Sequence, residues 1–139
     1  MKMMRFCLPA AVLLLALAGS APAQEPWAAK FEQQGWVRLD AKEIKAAMYD
    51  ATLSPDKKAY QVYVAPDGSM KFKSMLGWAD VGKAEVEDDG RLCRKWEQLR
   101  SGKRLCVTVW KKGTTYMTVK EDGSIYRTLL ITRGNTANL

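Results

Sequence analysis

The sequence predicts a mainly β protein: an antiparallel up-and-down meander of about seven strands, curled into a barrel or half-barrel, with one short N-terminal helix. Three observations lead there. Glycines recur at Gly90, Gly102, Gly113, Gly123 and Gly134, ten to twelve residues apart. The segments around them alternate apolar and polar residues. One stretch near Asp40 breaks that alternation with a helical period.

The glycines sit in turn chemistry, as Asp88-Asp89-Gly90, Ser101-Gly102, Lys112-Gly113 and Asp122-Gly123, with Pro66-Asp67-Gly68 as an earlier member. Glycine supplies positive φ at a tight turn, and Asp tolerates or hydrogen-bonds such conformations. Regular turn signals between β-branched and aromatic runs indicate consecutive hairpins.

The strand faces follow from the period of two. Tyr60, Val62 and Val64 alternate with Gln61 and Tyr63, and Met70, Phe72 and Leu76 alternate with Lys71 and Lys73. Ala84 and Val86 oppose Lys83, Glu85 and Glu87. Leu105, Val107 and Val109 alternate with Arg104, Cys106 and Thr108, and Met117 and Val119 with Tyr116, Thr118 and Lys120. A last strand is expected from Ile125 to about Thr132, buried on both sides at Leu129 to Ile131.

The helical segment follows Asp40, a capping residue with Glu43 at capping-box spacing. Ile44, Ala47, Met48 and Ala51 then recur on one face, which predicts a helix over 41–49 packed on the sheet or closing one barrel end. Residues 24–35 carry no strong period, although Trp27, Phe31 and Trp36 point to some docking. The tail from Gly134 to Leu139 is expected to fray.

The first residues have the layout of a secretory signal. Lys2 and Arg5 precede an apolar run from Leu8 to Leu17, and Ala21-Pro22-Ala23 offers a small-residue cleavage pattern. That run is too short to span a bilayer, which takes roughly 20 residues. The expected plan is a cleaved signal over 1–23 and one β-rich domain over 24–139, with a periplasmic or secreted location and no stable membrane insertion after cleavage. Cys7 precedes the apolar run and leaves with the signal.

Composition excludes several chemistries. The chain has no histidine, which removes Ser-His-Asp and Cys-His nucleophile activation, imidazole proton shuttling and every histidine metal site. Two cysteines after processing cannot build a four-cysteine or two-cysteine, two-histidine zinc site. No cofactor is expected. The net charge of +7 falls to +5 once Lys2 and Arg5 leave, a mild excess compatible with anionic lipid or polysaccharide and far from a nucleic-acid-binding signature.

Cys93 and Cys106 lie in Arg91-Leu92-Cys93-Arg94-Lys95-Trp96 and Arg104-Leu105-Cys106-Val107-Thr108-Val109-Trp110. In an oxidising compartment the pair favours a structural disulfide, and the C-x-x-C spacing of redox-active pairs is absent. If Cys93 faces Cys106, the turn falls at Gln98 to Ser101 beside Gly102, and the closed loop stabilises the fold by roughly 3 kcal/mol. Leu92, Arg94 and Trp96 then share the apolar face with Lys103, Leu105, Val107 and Val109, and the disulfide takes the polar face. Arg94 stands out as a cation on an apolar face, where an unpaired charge is costly. Either it pairs with an internal acid while Trp96 caps the core, or Arg94, Trp96 and Lys103 bind an anionic or aromatic ligand.

With its Ala65-Pro66-Asp67-Gly68 hairpin, Lys111-Lys112-Gly113 turn, Glu121-Asp122-Gly123-Ser124 turn and paired cysteines with Trp96, the order of elements resembles a family of small exported proteobacterial proteins, a domain of unknown function. The resemblance covers about Trp36 to Ile131. It implies an exported β-rich domain and offers no catalytic residues. The glycine-tryptophan such proteins place before the first cysteine is represented here by Gly77-Trp78 and Gly82. More loosely, the layout is similar to periplasmic inhibitors of lysozyme or proteases, an analogy of architecture alone.

The leading expectation is therefore a non-enzymatic exported binding domain whose partner is an envelope protein or a small anionic or aromatic ligand. The alternative is an inhibitor of a hydrolase acting through a hairpin loop at Gln98 to Lys103 or Lys111 to Thr114. An enzyme would have to rest on Glu85, Glu87, Asp88 and Asp89, which read as a solvated turn.

Overall fold

The computed structural model describes residues 25–55 and 58–139; the expected signal segment lies outside the described residues. The elements are α1 (Ala28–Gln33), β1 (Val37–Arg38), α2 (Ala41–Met48), β2 (Ala51–Pro55), β3 (Tyr60–Val64), β4 (Ser69–Ser74), β5 (Ala79–Val86), β6 (Arg91–Trp96), a 3-10 turn (Leu99–Gly102), β7 (Leu105–Lys112), β8 (Thr115–Lys120) and β9 (Ile125–Arg133). Each strand from β2 to β9 pairs antiparallel with the next, and β9 pairs back with β2. The result is a closed eight-stranded up-and-down barrel with no free edge in its wall. The short β1 extends the edge of β7 beyond the reach of β6. Two strands, β1 and β2, thus join the seven expected, and two helices replace the single one.

The Asp40 carboxylate of α2 accepts from the Glu43 N–H while the Glu43 side chain accepts from the Asp40 N–H, a complete capping box. Arg133 of β9 donates to the carbonyls of Ala47 and Tyr49 and so satisfies the other end of the helix. Ile44 and Met48 are buried in the barrel core beside Val64, Ala84 and Leu92. The strand directions put α2 at the end where β2, β4 and β6 begin. That end is closed; the opposite end, where β3, β7 and β9 begin, is open.

The hairpin of β6 and β7 has the register that the cysteines imply, pairing Cys93 with Cys106, Leu92 with Val107 and Arg94 with Leu105. The two cysteines form a disulfide across Cα atoms 4.0 Å apart. It lies on the outer face, and Arg104 beside it ion-pairs with Glu85 and Glu87.

Three face assignments differ from expectation. Met117 and Val119 point outward: Val109, an inner residue, pairs with Thr118, so Trp110 and Met117 share the outer face. There they form a second core with Val119, Ala28 and Phe31 under α1, and Trp27 packs against its edge. Trp110 is fully buried, its ring centroid 5.6 Å from Phe31 and 6.1 Å from Trp27, and its Nε1 donates to Thr108 Oγ1 at 2.9 Å. Thr108, expected on a solvated face, is buried for this reason. Leu130 is not buried; it pairs with Ser54 on the outer face and is 40% exposed, while Leu129 faces the core. Leu76 lies beyond the end of β4, in the β4–β5 hairpin tip, and is exposed.

Candidate functional site

The open end of the barrel leads into a cavity of about 270 Å³ lined by Tyr60, Val62, Phe72, Arg94, Trp96, Leu99, Arg100, Leu105, Tyr126 and Arg127. One wall is a run of rings. Tyr60 and Phe72 lie 5.3 Å apart between centroids, and Phe72 meets Trp96 edge-on at 5.8 Å. The Trp96 ring lies close against Gly82, its cross-strand partner in β5. A Cβ on Gly82 would stand 2.8 Å from the Trp96 ring and 2.5 Å from the Lys95 carbonyl oxygen, so this wall requires glycine there.

The cavity is also cationic. Arg94 projects inward from the middle of β6, flanked by Ala84 and Leu105. Its Nε is buried and has no hydrogen-bond partner, and no carboxylate lies among the cavity residues. Burial pushes the Arg94 guanidinium below its usual range. The Tyr126 and Tyr60 hydroxyls favour its charged form, while Arg127 and Arg100 disfavour it further.

Tyr126 gathers the cations. The guanidinium carbons of Arg127, Arg100 and Arg94 lie 4.3, 5.4 and 5.7 Å from its ring centroid, and the Lys120 ammonium lies at 5.4 Å. Arg127 Nε donates to the Tyr60 hydroxyl at 3.1 Å, and Arg100 donates to the Tyr126 hydroxyl at 3.4 Å. Ring faces attract cations, while four of them around one ring repel each other. A register shift between β8 and β9 at Thr118 and Val119 accompanies this geometry. It breaks the strict alternation, so that Tyr126 and Arg127, neighbours in sequence, both reach the mouth.

The 3-10 turn forms the lip. Arg100 and Ser101 take left-handed φ of 57° and 53°, unusual for residues with side chains. Asp80 holds the turn in place. Its carboxylate accepts from the N–H groups of Gln98 at 3.1 Å and Leu99 at 2.9 Å, and from its neighbour Val81 at 2.9 Å. Burial raises the Asp80 carboxyl, but these three donors together outweigh it, and the group lies below its usual range.

Of the sequence-derived ligand candidates, the structure brings Arg94 and Trp96 together in the cavity and leaves Lys103 out. Lys103 is exposed past the lip and does not line the cavity. Sequence reasoning missed Tyr60, Phe72, Arg100, Tyr126 and Arg127 as site residues. The loops at 98–103 and 111–114 stand at opposite ends of the barrel, and Lys112 reaches back to the Gln34 carbonyl at 2.7 Å. Glu85 and Glu87 are on the outer surface with Arg104, and Asp89 pairs with Arg91 at 2.8 Å, all away from the cavity. Among the described residues, no three His, Cys, Asp or Glu side chains are grouped to hold a metal, and no helix is long and apolar enough to cross a membrane. Comparison with protein-family models, curated proteins and solved structures finds no match.

Proposed function

We propose that this protein is a non-enzymatic exported binding domain whose barrel mouth takes a compact anion with an aromatic or apolar body. The observation that carries the reading is the buried Arg94 Nε without a partner, in a cavity that holds two further arginines and no carboxylate. A buried cation in a protein is ordinarily paired, because its desolvation is costly. Here the missing partner is the ligand anion. Val62, Phe72, Trp96, Leu99 and Leu105 supply the apolar surface for its body. A dry cavity of about 150 Å³ holds benzene, so this one suits a ligand of about 11 heavy atoms. The disulfide and the signal-like N-terminus support the exported setting.

The inhibitor alternative draws less support. The 98–103 loop is held rigid by Asp80, as an inhibitory loop would be, but its Arg100 turns back over Tyr126 and lines the mouth.

The test uses octanoate and cinnamate as probes, each against its neutral amide. The carboxylates are expected to raise Tm and to shift tryptophan fluorescence through Trp96, the amides to do neither, and Arg94→Met to abolish the response. An equal response to the amides, or an unchanged response in the variant, would overturn the reading.

A further inference from the structure

The open end carries a second feature that the cavity does not use. The β4–β5 hairpin projects from it with Met75, Leu76 and Trp78 at its tip, 77%, 89% and 70% exposed. Neighbouring Val81 is also exposed. Exposed apolar residues so close together are unusual on a soluble surface and mark a contact site. Three side chains on a narrow convex tip fall far short of the roughly 800 Å² per partner of a standard protein interface. They do suit shallow insertion between lipid headgroups, where a Trp ring at the interface is favourable.

The charges beside the tip select the kind of surface. On the outer face of β4, β5 and β6 stand Lys71, Lys73, Lys83 and Lys95, with Lys83 directly opposite Lys95 and Lys71 opposite Val81. Like charges directly opposite in a sheet are unfavourable. None of the four makes a salt bridge among the described residues; Lys71 donates to the Leu139 carbonyl oxygen, and Lys83 sits within the field of Asp67. Lys58 adds a fifth cation beside Met75 and Lys73. Asp80 stands two residues from Trp78, but its carboxylate is buried and engaged by the N–H groups of Val81, Gln98 and Leu99; Glu97 follows the end of β6. Glu121 and Asp122 occupy the β8–β9 turn, which the strand order places diametrically across the barrel.

We infer that the β4–β5 hairpin tip and its lysine face dock the open end of the barrel onto an anionic lipid bilayer. Met75, Leu76 and Trp78 enter the headgroup layer, the lysines meet lipid phosphates, and the barrel mouth is held at the membrane surface. This inference does not depend on what the cavity binds.

The test is co-sedimentation of the full protein with protein-free vesicles, of phosphatidylcholine alone or with phosphatidylglycerol as anionic component. Binding is expected only with the anionic lipid and should weaken with added salt. Leu76→Ser with Trp78→Ser should lower partitioning by at least tenfold, and Lys73→Ala by about fivefold. All three sites are exposed, so circular dichroism should be unchanged, and the cinnamate response should persist in solution. Equal binding to neutral vesicles, no binding to anionic ones, or undiminished binding by the tip variant prepared identically would overturn the inference. Retention only by vesicles carrying envelope protein would also overturn it, assigning the tip to a protein partner instead.

Discussion

The guanidinium carbon of Arg94 stands 5.7 Å from the centroid of the Tyr126 ring, although the two residues come from strands that are not neighbours in the wall. Only closure of the barrel brings them together. The pair sits where the apolar core gives way to the mouth, with the Arg94 Nε sealed from water and unbonded. Arg127 and Arg100 beside Tyr126 make that position less comfortable for Arg94. A ring face offers about 1–2 kcal/mol of attraction to a cation, while stripping one of water costs several. The balance is unfavourable without an anion, and this gives the first prediction its sign.

Arg94→Met is expected to leave the protein equally stable, or more stable by about 1 kcal/mol, because it replaces a half-buried cation whose Nε is sealed and unbonded with an apolar side chain of similar length. A salt-bridged structural arginine would behave oppositely and cost about 3–5 kcal/mol on removal. Urea unfolding monitored by circular dichroism separates the two outcomes. Loss of anion binding together with gain of stability is the signature of a site whose strain serves binding.

Asp80 links the lip to pH. Its folded pKa lies below the ordinary 3.8, so the unfolded chain binds the proton more readily than the folded one. The stabilisation is therefore fully present above about pH 4 and is lost as pH falls through the folded value. Asp80→Asn is expected to shallow the acid limb of the stability-pH curve. The limb will not vanish, because Asp67 and Asp122 are also held low, chiefly by hydrogen bonds from Ser69 and Ser124. The same variant loosens the Gln98 and Leu99 anchor and should weaken cinnamate binding severalfold at neutral pH; an unchanged affinity would show that the lip is positioned without Asp80.

The β6–β7 hairpin was the most legible part of the chain. Cys93 and Cys106 fix a register, and a register sorts Leu92, Arg94 and Trp96 onto one face by geometry alone. Strand β8 was not legible in the same way. Alternation in Met117, Thr118 and Val119 says that the two faces differ, but not which one is inside. The available clue was Trp110, a large apolar residue directly after Val109 and so on the face opposite Leu105, Val107 and Val109, which signals cover on both faces. Trp27, Phe31 and Trp36 were the material for that cover. The cavity itself was half legible. Arg94 and Trp96 follow from local register, whereas Tyr60, Tyr126 and Arg127 reach it through barrel closure and a register shift, and Arg100 through a left-handed turn, none of which leaves a local mark in the sequence.

Removal of the disulfide by replacing Cys93 and Cys106 together with Ala is expected to cost about 3 kcal/mol, the loop-closure value for a loop of this length. The barrel should still form, since the β6–β7 ladder and both cores remain. Chemical unfolding of the double variant under non-reducing conditions checks the magnitude. Mass spectrometry of the unreduced wild type should show the 93–106 cross-link, and two free thiols there would remove the basis of the prediction.

Trp110 tests whether the outer core belongs to the fold or only decorates it. Its side chain is fully buried on the outside of the wall, between Phe31 and Trp27, and its indole N–H is bonded to Thr108 Oγ1. Trp110→Ala should cost about 3–5 kcal/mol, the usual range for an emptied aromatic site. The loss should appear as release of α1, with the near-ultraviolet signal of Trp27 flattened before the barrel unfolds. Trp110→Phe keeps most of the packing and removes only the indole bond to Thr108 Oγ1, whose hydroxyl still donates to the Val119 carbonyl, so a smaller loss of about 1 kcal/mol is expected. Cinnamate binding should survive in both variants, because this cluster shares no residue with the cavity. If Trp110→Ala abolished binding while the barrel remained folded, the outer core would be coupled to the mouth through β7. The two cores would then not be independent.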